Sequence, residues 1–306
     1  MTGKIEYIPA HLIDRDRWDD WIKDSVNRRI YATSGFLDIL SPGWEAIVMD
    51  EGRAVMPVTR NRKYWISYVS QPLFLQQLGL FFSDRPGGGL LPLFLEKLSS
   101  AFGFIDISLN EMNEDPDPKF TITRLNNYLL PLDRPYSATT GGYSTNTRRN
   151  IIKAGRLGIS LTSGYKPSEA VRMFMMNNAK RYQPIPKLYY RRLQAVLERG
   201  LEDGSVSISA ARAMNGEIIA TACFLKDFDR YVFYFSANTE EGRKQGAMFM
   251  LINSFIMKHS ESGMMLDFNG SMNQGVARFY KGFGARQTSY GRLKINNLGF
   301  PLKYLR

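Results

Sequence analysis

Between residues 206 and 295 the apolar positions change period from two to 3.6 and back again, and this switching limits the fold more than any one motif. Segments 206–213 and 217–226 alternate on either side of Asn215-Gly216, a dipeptide that suits two-residue hairpins because both types tolerate positive φ. Segment 230–237 follows the polar turn Asp227-Phe228-Asp229, so three strands are expected as antiparallel neighbours. The period then lengthens. Residues 238–242 form a polar loop, and 243–259 sets Ala247, Leu251, Ser254 and Phe255 on one helical face. Residues 264–268 return to strand, and a helix joining two strands of one sheet calls for a parallel pair. A short helix over 274–282 and a last strand over 287–295 complete the series.

Upstream, Ser144-Thr145-Asn146-Thr147 offers several N-caps to a helix over 148–157, where Arg149, Lys153 and Arg156 share one face and Gly158 closes the end in a left-handed conformation. A helix capped by Ser168 turns Val171, Phe174 and Met175 inward, Gln183-Pro184-Ile185-Pro186 breaks the chain, and Tyr189, Leu193, Val196 and Leu197 mark another helix ending at Gly200. The first half repeats the order weakly. Strands at 44–49, 54–59 and 64–70 precede Gly87-Gly88-Gly89, a helix to Phe102 and a strand at 104–109. Pro131, Pro135 and Gly141-Gly142 punctuate the middle, which places the domain boundary near residue 140: a diverged first domain over 1–140 and a second over 141–306.

The charge is divided at the same place. Up to residue 145 there are 15 Lys and Arg against 18 Asp and Glu, and beyond it 25 against 11, although the whole chain of 306 residues is only +11. A basic half of this kind suits an anionic ligand, whether a phosphorylated cofactor, an anionic substrate or RNA. With two His and one Cys, the chain is short of ligands for a clustered zinc site and of bases for a Ser-His-Asp triad, and no metal is expected. His259, behind Lys258, reads as a helix-end imidazole. The longest apolar runs, such as 73–75 and 90–95, are far below the ~20 residues of a membrane span. The lone Cys223 in an apolar run and the polar start argue for the cytosol.

Two segments are candidates for chemistry. The helix opening Arg243-Lys244-Gln245-Gly246-Ala247 follows a strand whose end is Ser236-Ala237-Asn238, and exposed amides at such an opening attract phosphate. Further on, 267–285 joins a strand end at Asp267 to a polar turn with Asn269 and to a helix carrying Asn273, Ala277 and Tyr280 at helical spacing. Together these resemble the GNAT acyltransferase superfamily, whose phosphate turn reads Arg/Gln-x-x-Gly-x-Gly/Ala. Arg243 and Gly246 match, while Met248 stands at the last small position. Asn273, Ala277, Phe279-Tyr280 and Gly282-Phe283 resemble the superfamily's later helix. A second resemblance is to the Fem-type peptidyltransferases. Thr147-Arg148-Arg149-Asn150-Ile151-Ile152-Lys153-Ala154 with Gly158-Ile159 is similar to their Thr-Arg-x-Asn-Ile-x-Lys-Ala-x-x-x-Gly-Val segment. Tyr280 stands where those proteins carry lysine, and Lys281 lies one residue late, a turn of roughly 100° on a helix.

The resemblances imply an α/β (α+β) chain of two GNAT-like domains, each a mixed, mainly antiparallel sheet flanked by helices, in a bacterial cytoplasmic enzyme. They imply an N-acyltransferase that moves an acyl group from acyl-CoA to an amine of a small molecule, peptide or sugar. Tyr280 is then a general acid and Asp267, or a water it holds, a base. Ser236, Ala237, Asn238, Arg243, Lys244, Gln245, Gly246, Ala247, Asn269 and Asn273 line the donor site, and Arg149, Lys153, Arg156 and Lys281 meet substrate or RNA. The alternatives are a Fem-like transferase using aminoacyl-tRNA, and a non-catalytic binding protein on the same fold.

Overall fold

The computed structural model describes residues 3–84, 89–113, 120–178 and 185–299, so Gly87-Gly88 and Gln183-Pro184 lie outside the described residues. The chain divides into two compact units, 1–125 with 289–306, and 126–288.

In the first unit β1 (Ile5–Ile8), α1 (Arg15–Asp24) and α2 (Ser34–Leu40) precede β2 (Glu45–Met49) and β3 (Ala54–Val58). β2 and β3 are buried along their whole length and pair antiparallel, Ile47 opposite Met56. With β1 and the short β6 (Phe81–Phe82) they form a four-stranded sheet in the order β1-β2-β3-β6. The strand expected over 64–70 is instead the second arm of a hairpin, β4 (Arg60–Lys63) with β5 (Ile66–Ser70), because Tyr64 takes a left-handed φ of 55° and turns the chain. This hairpin joins a second sheet. β5 runs parallel to β7 (Phe104–Ser108) after the helix α3 (Leu90–Ala101), and β7 pairs antiparallel with β14 (Arg286–Asn296). Phe94, Leu95 and Leu98 of α3 are buried with Ile47, Met56, Ile105, Ile107 and Leu293 in one core. The last strand pairs from Arg292 to Asn296 with Phe104–Ser108.

The second unit holds the end of β8 (Ile122–Pro131), then α4 (Tyr136–Gly141), α5 (Thr145–Arg156), β9 (Ser160–Ser163), α6 (Pro167–Asn178), α7 (Lys187–Glu202), β10 (Val206–Arg212), β11 (Ile218–Lys226) and β12 (Arg230–Asn238). They are followed by α8 (Glu240–Gln245), α9 (Ala247–His259), β13 (Met265–Asp267) and α10 (Gln274–Lys281). Its sheet runs β8-β13-β12-β11-β10-β9. The meander β10-β11-β12 is antiparallel as expected, with Gly216 at φ 88° in the first turn, and β12 and β13 are parallel.

Details depart from expectation for local reasons. Ser144 is the cap of α5, accepting from the Thr147 amide at 3.1 Å, and Gly158 closes it at φ 66°. Ser168 lies inside α6, which begins at Pro167, and Met175 is exposed while Val171 is buried. The stretch read as a polar loop and one long helix is two helices, because Thr239 caps α8 through the Gly242 amide and Gly246 breaks the path at φ 79°. Phe224 of β11 stacks on Phe255 of α9, centroids 3.6 Å apart, at the centre of an apolar cluster that also takes Leu251, Ile252, Phe268, Tyr280 and Phe283.

Candidate active site

The parallel pair β12 and β13 stays together for only three residue pairs, Arg230 with Met265, Tyr231 with Leu266 and Val232 with Asp267. β13 stops there because Asn269 and Gly270 take left-handed φ values of 61° and 71° and turn the chain out of the sheet. β12 runs on to Asn238, so a wedge opens between the two strands. A bulge against β11 deepens it: Cys223 faces Phe235 but Phe224 faces Phe233, leaving Tyr234 as the extra residue. The Thr239 amide donates to Ile219 O on the β11 side, so alternation turns the main-chain groups of Asn238 and Ser236 toward the wedge. The Tyr234 carbonyl faces it as well, and the Asn269 side chain crosses the opening to donate to it at 3.1 Å.

The root of the wedge is a buried ion pair. Arg230 Nη1 donates to Asp267 Oδ2 at 3.1 Å, and Asn127 Nδ2 donates to the same oxygen at 3.1 Å. The Asn269 amide donates to Oδ1 at 2.8 Å. Both carboxylate oxygens are thus engaged, and Arg230 also reaches Asp229 at 3.0 Å. A charge this deep is tolerated only when paired and hydrogen-bonded, so the cluster fixes the strand end and, through Asn269, the turn that bounds the wedge. Nearby, burial pushes the Cys223 thiol and the Tyr234 hydroxyl well above their usual ranges, leaving both neutral at pH 7.

Asn273 caps α10, its side chain accepting from the Gly275 and Val276 amides at 2.9 and 3.1 Å. Two helical turns later α10 turns Tyr280 inward. The ring is 8% exposed and lies 4.7 Å from Phe268, 5.8 Å from Tyr128 and 6.3 Å from Phe233 of β12, centroid to centroid. Tyr280 and Asp267 therefore flank the same short segment, Phe268. Lys281, the next residue, sets its ammonium over the Tyr128 ring at 5.7 Å.

The candidate donor turn has a different character. The N-terminus of α8 carries Glu240 and Glu241, Lys244 Nζ is paired with Glu240 at 3.0 Å, and Arg243 Nη1 donates back to Asn238 O at 2.7 Å. Gly246 is pressed against α5: a Cβ there would sit 2.8 Å from Asn150 O. Lys153 Nζ donates to Lys244 O at 2.7 Å, and Ala247 and Met248 are buried. The first turn of α9 is thus covered by protein, and these residues do not fit a pyrophosphate cradle at Gly246. Two acceptors beside this turn, Asn238 Oδ1 and Gln245 Oε1, are buried without a hydrogen-bond partner among the described residues. Arg149 and Arg156 are exposed with Lys153 on one face of α5, while Thr147 and Ala154 are buried on the other.

Residues 143–281 match the family described as Acetyltransferase (GNAT) domain. This segment is similar to a GNAT domain. It contains the wedge, the ion pair and Tyr280. The fold of the whole chain is Fem-like: it is similar to FemX with a TM-score of 0.67 at 12% identity, covering 95% of this chain and 98% of that one. A conserved protein of unknown function from Bacteroides thetaiotaomicron VPI-5482 gives 0.60 at 12% identity over 96% and 100%. L-PGS from Bacillus licheniformis gives 0.55 at 11% over 94% of each chain. No curated protein sequence matches this chain. Among the described residues no group of three or more His, Cys, Asp or Glu is placed to hold a metal, and no helix is long and apolar enough to cross a membrane.

Sequence reasoning singled out Asp267, Asn269 and Tyr280 as candidates but not Arg230, Asn127 or the Tyr234 bulge, which the structure places beside them. The signal for Asn127 was a polar residue inside the strand 122–131, and for Arg230 a cation at a strand start. Nothing in the sequence pairs either with Asp267.

Proposed function

We propose that the chain is an N-acyltransferase that moves an activated acyl group to an amine within the β12–β13 wedge. The observation that carries this reading is the parting of a parallel pair after Val232 and Asp267, with Asn269 across the gap. In this reading an extended donor arm pairs with the main chain at Ser236 as a missing strand would, which aims its acyl carbonyl at the bulge. The amine nitrogen attacks the acyl carbon, a C–N bond forms and the carbonyl pair moves to oxygen, where a backbone amide of the bulge can receive it. Collapse breaks the bond to the donor's oxygen or sulfur. The amine proton passes to water, and the Tyr280 hydroxyl protonates the leaving atom and is reprotonated by solvent. In this reading Asp267 is a positioning group, since its oxygens are engaged by Arg230, Asn127 and Asn269. The acceptor is an amine of a small molecule, peptide or sugar.

Two carriers for the acyl group are supported by different observations. The GNAT match favours acyl-CoA. The packing of α5 on Gly246, together with the acid-free basic face of α5, favours an aminoacyl ester on tRNA, as does the Fem-like fold. Titration of the purified chain with coenzyme A and with charged tRNA over a range of salt separates them, because tRNA affinity falls steeply with ionic strength. Removing the acid in Tyr280→Phe is expected to slow acyl transfer by about 10²-fold with the fold unchanged. Unaltered transfer in that variant removes Tyr280 from the mechanism. A protein that binds neither donor is a binding protein on this fold.

A further inference from the structure

The first half of the chain is acidic as a whole, yet residues 52–83 contain no Asp or Glu and four cations, Arg53, Arg60, Arg62 and Lys63. Three of the four fall on β4, at the edge of its sheet. Lys63 pairs with Ile66, so the hairpin β4–β5 turns through two residues only, Tyr64 and Trp65. Among the described residues these rings are the most exposed aromatics of the first unit, 71% and 75% accessible, and stand 5.9 Å apart at the hairpin tip.

The turn is built at a cost. Tyr64 has φ 55°, a conformation that glycine or asparagine adopts freely at the head of a two-residue hairpin and that a bulky side chain resists. An aromatic kept where glycine would relax the turn indicates that the side chain itself is used. Behind the tip, Arg60 is committed to Glu45 at 3.1 Å, and Arg62 donates to Tyr64 O at 3.2 Å, which holds the exposed turn in shape. Arg62 and Lys63 remain at the surface, next to the rings.

We propose that this hairpin tip inserts into the interface of an anionic lipid surface and attaches the protein to it reversibly. Tyr and Trp are the side chains that settle at the headgroup level, with an apolar body and a polar edge, and Ile66 beside them is partly exposed. The cations one and two residues back lie where acidic headgroups would be. Charge complementarity alone also suits RNA. Base stacking, however, uses rings laid flat on a platform, and here they project from the end of a two-stranded ribbon, tilted 47° to each other. The inference is independent of the acyl-transfer reading and concerns the other compact unit.

Vesicle binding tests it directly, with a reporter already in place. Of the four tryptophans, Trp18 and Trp44 are fully buried and Trp21 is partly buried, so an emission change on binding reports Trp65. The full chain is expected to bind phosphatidylcholine vesicles containing roughly a third phosphatidylglycerol, with a blue shift, and to ignore pure phosphatidylcholine. Replacing Arg62 or Lys63 by Gln should weaken partition about fivefold each. Tyr64→Gly with Trp65→Ser should weaken it about tenfold or more. Tyr64→Gly by itself should leave the melting temperature unchanged or raised, which separates lost binding from lost folding. No binding to the anionic vesicles at millimolar lipid, or equal binding by the Tyr64 and Trp65 variants, overturns the proposal. Quenching of Trp65 by tRNA from a protein that ignores the vesicles overturns it in favour of RNA.

Discussion

Gly246 separates two readings of the same turn, because a glycine at the start of a helix serves either phosphate approach or close packing. Gly246→Ala tests which one holds. Forcing alanine into the left-handed region at φ 79° costs about 1–2 kcal/mol, and the stiffer unfolded chain returns about 0.4–1 kcal/mol of that. The new methyl would lie 2.8 Å from Asn150 O, a backbone atom of α5, where ordinary contact begins near ~3.4 Å. α5 must then move by about half an ångström while Lys153 still bonds Lys244 O, an overpacking penalty of about 1–3 kcal/mol. The net expectation is a destabilisation of about 2–3 kcal/mol, or a melting temperature lowered by roughly 5–10 °C. Equilibrium urea unfolding and circular dichroism melts measure it. A variant that melts within about 1 °C of wild type yet no longer binds coenzyme A would refute the packing argument and restore Gly246 as a phosphate turn.

The remaining expectations are narrower. Arg230→Met leaves Asp267 buried without its cation and should cost about 3–5 kcal/mol in urea unfolding, with much of the loss recovered when Asp267→Asn is added; a single variant as stable as wild type would mean that the pair does not hold the strand end. His259 lies against Tyr231 and Phe255, and burial first, then Lys258 and Lys226, lowers its pKa below the usual 6.5. The unfolded chain therefore takes up the proton first, so stability should be constant above that value and decline as the pH falls below it. Thermal melts of His259→Gln should show a weaker decline over that window, and an identical pH dependence would exclude the imidazole as its source.

Much of the fold was legible before any coordinates because its signals are local. The hairpin at Asn215-Gly216, the caps at Ser144 and Gly158, and the period change from the meander to α9 depend on residues within a few positions of one another. The boundaries that escaped are those where one residue overrides a periodic pattern. Gly246 divides a stretch read as one helix, and Tyr64 turns the chain where a strand was read to begin. The candidate site was legible as a list of residues and not as an arrangement. Tyr280 and Asp267 were found from helical spacing and a strand end, whereas the engagement of Asp267 depends on Asn127, 140 positions earlier in the chain.

By itself, the sequence determined a mixed α/β chain with a basic second half, a strand order of GNAT type and a short inventory of polar residues at strand ends and helix starts. Local periodicity, turn chemistry and net charge are properties of neighbours along the chain, and they survive translation into words without a third dimension. Only the tertiary structure decided which polar groups are engaged and which surfaces are covered. Hydrogen bonding and burial depend on what the fold brings alongside: Arg230 and Asn127 around Asp267, α5 over Gly246, and nothing over Tyr64 and Trp65 among the described residues.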